Sequence, residues 1–434
     1  IQYNFDVPWL FDSEWTVGYD YRNTDSDSEE LLNIFPSFFS ICLKSCETIF
    51  DARFRSVITP CLIPWLTEFF LVSNFVFSQS YFVYVASESD DTVSLLKFEN
   101  NEINEVERIT VGTYPTEIEG PHGITVDPNG KFWYLSLAHG NPFGKLVKYS
   151  TESNEVVDET TLGLFPASMQ VSTTTGFLYC VNFNLHGSMK PSTVSVVDPV
   201  TMTEITTITT GSMPHGSRIS PDGLFQYSVA MMSGELFEID ALGLEVNRTL
   251  DLDNKMMKND GMKSMDEMKS MDGMKSMDGM KSMDGMKHSM VKPTWVIPHP
   301  KQNLAYIAGN GSDEVIEVDL DAWKVSDRFK TGKGPYNLEI SPDGKLLIGT
   351  IKSEGKTAIW NLDDKKLLGE IKNTTSVSHG IAISSDSKYA FISVEGIGGE
   401  PGIVDVINLE TYELVSSVEV GKQAGGIAFW KKDI

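Results

Sequence analysis

The chain has 434 residues, of which 41% are hydrophobic, 22% charged and 10% aromatic; this composition excludes a disordered chain and a multi-span membrane protein. The net charge of −25 repels nucleic acid phosphates and anionic membrane surfaces, so we expect a metal ion, a small molecule or a protein as partner. Three of the four cysteines lie within the first 61 residues, which excludes a multi-disulfide framework.

The first 80 residues differ from the rest of the chain. Residues 1–52 show no sustained hydrophobic period and are left as an unassigned N-terminal extension. Residues 53–80 combine a basic start, an apolar centre and a small polar end, which is typical of a secretory signal peptide. Two prolines and Glu68 within the apolar part argue against a spanning helix. We therefore expect a mature chain that begins near Tyr81, has no membrane span, and is periplasmic, secreted or at the cell surface. A buried hairpin is the alternative.

From residue 81 to 434 the chain repeats itself. The units align on a short opening motif: Pro121-His-Gly-Ile, Pro166-Ala-Ser-Met, Pro214-His-Gly-Ser, Pro293-Thr-Trp-Val, Pro335-Tyr-Asn-Leu, Ser378-His-Gly-Ile and Gln423-Ala-Gly-Gly-Ile. The spacings are 45, 48, 79, 42, 43 and 45 residues. The long step contains an insertion, and without it the period is constant, as in solenoids and propellers.

Each unit has the same order of four predicted strands. An opening strand leads to a turn such as Ser341-Pro-Asp-Gly344, and an aromatic strand, a Val/Ile strand and a Thr/Val strand follow. This pattern predicts a β-propeller blade. The first unit lacks an opening strand and the last fragment, Ala424 to Trp430, supplies one. We therefore predict an all-β, seven-bladed β-propeller closed by pairing of the N- and C-terminal strands in one blade.

These units resemble the YVTN-type β-propeller repeat family, whose units read as a Gly-x-x-Pro link, a Ser-Pro-Asp-Gly-Lys turn, a Tyr-Val strand and a Val-Ile-Asp strand. The resemblance covers residues 81–434 and implies the fold, but related propellers include surface proteins, cofactor-binding domains, lactonases and lyases. Residues 121–130 are also similar to a blade opening of streptogramin-lyase-like and lactonase-like propellers. Copper-dependent thiol oxidases of the selenium-binding type are more distantly similar.

A methionine-rich insertion occupies residues 253–292. Most of its methionines recur at every third residue: Met262, Met265, Met268, Met271, Met274, Met277, Met280, Met283 and Met286, followed by His288 and Met290. A step of three drifts around a helix, so these side chains do not form one core-facing stripe. Thioether sulfur prefers Cu(I), and the segment resembles Met-rich copper-binding tracts of bacterial copper-resistance proteins. The sequence thus predicts copper as a ligand; a repeat expansion without a role is the alternative.

The histidines form a second candidate constellation. In propeller topology, first strands begin at the same face at which second strands end. His122, His215 and His379 begin first strands, and His139 and His186 end second strands, so we expect all five at one mouth of the channel. Met231 and Met232 are expected there too, and His299 at the opposite face.

Imidazoles grouped with thioethers suit copper, so the five histidines are candidate metal ligands together with the insertion. We expect His122, His139 and His186 to form the closest group, with His215 next and His379 approaching across the channel. Each histidine has an alternative structural role, because Pro-His-Gly also suits a strand start. Glu117 and Glu119 are candidate carboxylates for the same mouth, or solvated loop charges.

The sequence thus favours an extracytoplasmic propeller that binds or delivers copper. The first alternative is an enzyme with its site at the same mouth: a metal-assisted lactonase or lyase, or a copper-dependent oxidase. The second alternative is a structural surface or protein-interaction propeller with an idle insertion.

Overall fold

A computed structural model describes residues 79–113, 117–140, 143–185, 190–253 and 288–433. Within these residues, 28 strands form seven four-stranded antiparallel sheets. We number the sheets as blades 1 to 7 in chain order and their strands from the channel outwards. The N-terminal extension, the signal-peptide-like segment, His186 and the methionines of the insertion up to Met286 lie outside the described residues.

Each blade contributes one strand to each of four concentric positions. The first strands of blades 1 to 7 are β28 (Ala424–Asp433), β4 (Pro121–Val126), β8 (Pro166–Val171), β12 (Pro214–Ile219), β16 (Pro293–Pro298), β20 (Pro335–Ile340) and β24 (Ser378–Ile383). The second strands are β1 (Ser80–Ser87), β5 (Phe132–Leu137), β9 (Leu178–Asn182), β13 (Phe225–Ala230), β17 (Leu304–Gly309), β21 (Leu346–Ile351) and β25 (Tyr389–Val394). The third strands are β2 (Thr92–Glu99), β6 (Lys145–Ser150), β10 (Pro191–Asp198), β14 (Glu235–Asp240), β18 (Glu314–Asp319), β22 (Lys356–Asn361) and β26 (Gly402–Asn408). The outer strands are β3 (Glu102–Thr110), β7 (Val156–Thr161), β11 (Thr203–Ser212), β15 (Glu245–Asp251), β19 (Lys324–Lys330), β23 (Leu367–Lys372) and β27 (Glu413–Val420). A 3-10 helix covers Lys352–Glu354.

The ring closes through blade 1, as the two chain ends predict. Strand β28 pairs antiparallel with β1, with Phe429 opposite Val83 and Ile427 opposite Val85. Each first strand also contacts the first strand of the next blade, from β28 to β4 and round to β24 and back to β28. The seven-bladed propeller with its composite blade is therefore confirmed, and the pairing leaves neither end of the ring as an open sheet edge.

The core lies between the faces of neighbouring blades. Between blades 1 and 2, for example, Trp133 is fully buried and stacks on Tyr149 at 3.8 Å and on Tyr84 at 5.1 Å between ring centroids. Outer strands are more exposed; most of β7 is in contact with solvent. Burial of both faces in the second strands explains why their sequences are mostly apolar, as in Leu304–Gly309 and Tyr389–Val394. Among the described residues, no helix has the length and apolarity that crossing a membrane requires.

An irregularity at the start of the first strands sets the geometry of the channel. In six blades the pairing between first and second strand skips from the first residue to the fourth, as from Pro121 to Ile124 and from Ser378 to Ile381. The two residues in between leave the regular ladder. The second residues of five first strands line a cavity in the channel: Gly425, His122, Ala167, His215 and His379.

Candidate functional site

The second residues of the first strands form a ring at one end of the channel, which we call the mouth. In the order of blades 1 to 7 they are Gly425, His122, Ala167, His215, Thr294, Tyr336 and His379. His139 follows β5, in which Leu137 pairs with Pro121, so it also lies at the mouth. The structure therefore brings His122, His139, His215 and His379 to the same face.

The glycine that follows each of three mouth histidines has a packing role. A Cβ atom on Gly123 would lie 1.9 Å from the carbonyl oxygen of Ala167 in the next blade, and one on Gly380 would lie 2.6 Å from that of Gly425. A Cβ atom on Gly216 would lie 2.4 Å from Trp295 Cα. Close approach between blades therefore explains the glycine of the Pro-His-Gly motif. Close approach between blades does not explain the histidine of the motif, because the histidine side chains line the channel cavity.

Glu88 links two of the histidines. It follows β1 in blade 1 and is 8% exposed. Its Oε2 atom lies 2.8 Å from His122 Nδ1 and its Oε1 atom lies 2.7 Å from His139 Nε2. Both carboxylate oxygens are thus engaged by imidazole nitrogens, and His122 is oriented with its Nε2 atom directed away from Glu88.

The Glu88 contacts change two pKa values. Burial alone would raise the pKa of Glu88, but the charge of His122 and the hydrogen bonds from His122 and His139 outweigh burial and hold that pKa well below its usual range. The hydrogen bond to Glu88 raises the pKa of His139 above its usual value, against the opposing effect of burial. The cluster therefore favours an ionised Glu88 and a protonated His139.

His379 lies on the other side of Gly425 from His122. The ring centroids of the two histidines are 6.0 Å apart. His379 Nε2 is 3.7 Å from Glu395, whose Oε1 atom is 2.7 Å from Lys352 Nζ. His379 Nδ1 is buried and has no hydrogen-bond partner among the described residues. Burial lowers the pKa of His379 well below its usual value, and the charge of Lys352 adds to this, so the ring is neutral.

His215 is held on both sides. Its Nδ1 atom donates to the carbonyl oxygen of Thr294 at 2.7 Å, so its Nε2 atom is the acceptor, and Tyr336 Oη donates to it at 2.8 Å. Burial lowers the pKa of His215 to about 3. With both nitrogens occupied, His215 is a structural residue that orients Tyr336, and Tyr336 in turn packs on His379 with 4.7 Å between ring centroids.

The mouth leads into a small cavity with a closed floor. The cavity has a volume of about 50 Å³ and is lined by His122, His215, His379 and Gly425, among other residues. Below it, Arg218 of β12 crosses the channel to Glu339 of β20, donating through Nε at 3.0 Å and forming a second contact through a terminal nitrogen. Arg218 also stacks 4.4 Å from the Trp295 ring centroid. The ion pair separates the mouth from the far end of the channel.

The distances differ from the expected grouping of the histidines. His122 and His139 are joined through Glu88, but His379 is nearer to His122 than expected, because Gly425 leaves the intervening blade without a side chain. His215 instead packs against Phe183 and Tyr336. His379 thus lies with its ring centroid 6.0 Å from that of His122. His186 lies outside the described residues.

Other candidates also have defined positions. Met231 and Met232 follow β13 at the mouth and pack on the core between blades 3 and 4. His299 lies at the opposite end, as expected, where its Nε2 atom donates to the Gly344 carbonyl at 3.0 Å. Glu119 is a buried loop residue whose carboxylate accepts from the Thr113 backbone N–H. It is therefore not a solvated charge.

Three important mouth residues were missed by the sequence reasoning. Glu88, Lys352 and Glu395 are each the first residue after a second strand, β1, β21 and β25 respectively. The topological rule that places His139 at the mouth applies equally to them. Their position directly after a second strand is therefore the sequence signal that identifies them.

Copper is the predicted ligand of the mouth histidines and of the insertion. Among the described residues, no three His, Cys, Asp or Glu side chains are grouped as ligands of one metal ion. His288 and Met290, the described residues after the insertion, are solvent-exposed. The metal-ligand roles of the mouth histidines and of the methionines therefore remain predictions.

The fold and the repeated blade openings define a β-propeller protein, and comparison with known families agrees. The family model described as a YNCE-like beta-propeller matches residues 167–427. This range is more than half of the chain. The protein therefore belongs to the YNCE-like β-propeller family. A search of curated proteins gives no match.

Solved structures share the fold at low sequence identity. The chain is similar to hydrazine synthase of Kuenenia stuttgartiensis, with 18% identity and a TM-score of 0.55 over 74% of this chain and 92% of that chain. It is also similar to a functionally unknown protein from Desulfotomaculum acetoxidans, with 15% identity and a TM-score of 0.58 over 80% of this chain and 98% of that chain. At these identities the likeness extends to the fold alone.

Proposed function

We propose that this propeller binds copper and holds it for delivery, using the methionine-rich insertion and the histidines of the mouth. The observation that carries the proposal is the cavity between His122 and His379. Its volume of about 50 Å³ suits an ion with a water or two, whereas pockets for organic ligands usually have about 300–1,000 Å³. Imidazole nitrogens are good copper ligands.

The contacts of His122 support this role. Glu88 binds the Nδ1 edge of the ring at 2.8 Å and leaves Nε2 as the nitrogen for a ligand. A carboxylate that fixes the ring of a metal-ligating histidine in this way is a general feature of metal sites, and it raises the basicity of the ligating nitrogen.

The ends of the insertion support a shared role with the mouth. Asp253 Oδ1 accepts from the backbone N–H groups of Met290 at 3.1 Å and Val291 at 3.0 Å, and from Ser289 Oγ at 3.3 Å. Ser289 N donates to the carbonyl oxygen of Met232, which follows a second strand at the mouth. The insertion therefore leaves and rejoins the propeller at the face that carries the histidines, and its sequence supplies soft thioether ligands.

Copper binding by the insertion is tested by an anaerobic Cu(I) titration against a chromophoric chelator. In one variant every methionine of residues 254–287 is replaced by leucine, which keeps length and apolarity. In the control, the serines of the same segment are replaced by alanine. We expect the leucine variant to lose at least half of the bound Cu(I) and the control to lose none. An unchanged stoichiometry in the leucine variant would remove the insertion from the proposal.

We also propose that the protein acts outside the cytoplasm. This rests on the sequence pattern of residues 53–80. N-terminal sequencing of protein purified from its native source is the test, with a start close to Tyr81 expected. A start before Arg53 in extracytoplasmic material would mean that the segment is retained.

A propeller enzyme is the second candidate, and the Glu88–His122 pair favours it. A carboxylate that orients an imidazole is a frequent arrangement for general acid–base catalysis. The small cavity argues for an ion instead. Saturable turnover of a lactone or thiol substrate that is lost in His122→Gln, in protein that binds no copper, would decide for the enzyme.

A further inference from the structure

We propose that the mouth by itself is a two-histidine site for one monovalent soft cation, Cu(I) or its analogue Ag(I), with His122 and His379 as the two ligands. This inference rests on the proposed function for the choice of copper. It goes further by naming the ligands, the charge of the ion and the independence of the mouth from the insertion.

The separation of the two rings fits a shared ion. A metal–imidazole nitrogen bond is about 2.0–2.1 Å long, and a ring nitrogen lies roughly 1.1 Å from its centroid, so two rings on one ion in a straight line have centroids about 6.3 Å apart. A bent arrangement shortens this distance. The observed 6.0 Å between the centroids of His122 and His379 lies just within that limit.

The nitrogens needed for the ion are not engaged elsewhere. His379 Nδ1 is buried without a hydrogen-bond partner among the described residues, and His379 as a whole is 7% exposed. Among those residues no hydrogen bond is formed to His122 Nε2, since His122 uses Nδ1 to bind Glu88. A buried polar atom without a partner is unfavourable, and a bound cation would satisfy it.

The space for the ion is provided by Gly425. A Cβ atom at this position would lie 3.8 Å from His379 Nδ1 and 3.7 Å from its Cε1 atom. His122, His379 and Gly425 line the same cavity of about 50 Å³. Because Gly425 has no side chain, a gap remains beside His379 Nδ1. The His122 ring lines the same cavity.

The charges at the mouth favour a monovalent ion. Both oxygens of Glu88 are engaged by His122 and His139, and Glu395 is engaged by Lys352 at 2.7 Å. Zinc usually takes three or four protein ligands, whereas soft monovalent ions accept two donors and have less charge to neutralise. Two imidazole nitrogens, with the nearby carboxylates already paired, therefore favour Cu(I) over Zn(II).

The test uses the full-length chain in which every methionine of residues 254–287 is leucine. This variant is titrated anaerobically with Cu(I) against a chromophoric chelator, with Ag(I) as the redox-inert probe and with Zn(II) in parallel. We expect one Cu(I) per chain, bound at least 100-fold more tightly than Zn(II), and X-ray absorption with nitrogen donors and no sulfur. Adding His122→Ala or His379→Ala should weaken binding at least tenfold, whereas His299→Gln at the opposite end should leave it unchanged.

The alternative outcomes separate the two proposals. If wild-type protein binds several Cu(I) ions and the leucine variant binds none, the mouth inference is overturned and copper binding by the insertion stands. If neither protein binds Cu(I), both proposals fail. Sulfur donors in the leucine variant, or equal affinity for Zn(II), would overturn the two-histidine assignment while copper binding remained. Thermal melts of each variant identify any loss that is due to unfolding.

Discussion

Replacing Gly425 by alanine tests whether an ion occupies the gap between the two mouth histidines without changing either histidine. The new methyl group would lie 3.7 Å from His379 Cε1 and 4.0 Å from the Gln423 carbonyl oxygen, which is ordinary van der Waals contact. Gly425 has no positive φ, so the backbone accepts alanine. A Gly→Ala change at a compatible site stabilises a protein by about 0.4–1 kcal/mol through the unfolded state. We therefore expect folding within about 1 kcal/mol of wild type.

The effect on binding should be much larger than the effect on folding. The methyl carbon would lie 3.8 Å from His379 Nδ1 and within the gap that the cavity provides beside this nitrogen. An ion bound at about 2.0–2.1 Å from the same nitrogen would have to share that gap with the methyl group. We expect Gly425→Ala in the leucine-insertion background to weaken Cu(I) and Ag(I) binding at least tenfold, measured by competition titration.

The neighbouring Gly426 provides the matched control. A Cβ atom there would lie 2.1 Å from the His122 carbonyl oxygen, so alanine must push blade 1 away from blade 2, at a cost of about 1–3 kcal/mol or more. Gly426→Ala should therefore lower the melting temperature and Gly425→Ala should not. The reasoning is refuted if Gly425→Ala folds normally and binds Cu(I) as tightly as its parent. A Gly426→Ala protein that melts like wild type would contradict the close approach of the blades.

Three further predictions concern the polar contacts of the channel. Tyr336→Phe removes the hydroxyl that donates to His215 Nε2 and should destabilise the fold by about 1–3 kcal/mol in urea unfolding; an unchanged midpoint would mean that His215 does not need this partner. Glu339→Gln leaves the Arg218 charge without its buried partner and should cost about 3 kcal/mol or more, whereas a neutral result would show that the ion pair does not hold the channel floor. In metal-free protein, the lowered pKa of Glu88 gives stability that is present above its unfolded pKa of about 4.3 and lost as the pH falls through the folded pKa. The raised pKa of His139 gives stability that is present below about pH 6.5 and lost as the pH rises through the folded pKa. Both contributions should vanish in Glu88→Gln, and a pH–stability profile identical to wild type would contradict this.

The fold could be predicted because its signals are local and repeated. Each unit carries a turn such as Ser341 to Gly344, and Gly344 has the positive φ of 78° that the turn needs. The first unit lacks an opening strand, and Ala424 to Trp430 is an opening strand without a unit of its own. Counting strands therefore predicts that the two ends pair and close the ring. Topology also places the mouth histidines at one face, because first strands begin and second strands end at that face.

Distances across the channel are decided by the tertiary structure. The sequence determines that His122 and His379 begin first strands in blades 2 and 7, but their proximity depends on Gly425, a residue without a side chain in the blade between them. The partners of the histidines depend on Glu88, which is far away in the chain, and on the direction in which each ring turns. His215 starts its strand like the others, yet contacts from Thr294 and Tyr336 occupy both of its nitrogens. The sequence thus determines which residues reach the mouth, because strand order is a local property. Packing of one blade against the next decides which of their nitrogens are left to bind a ligand.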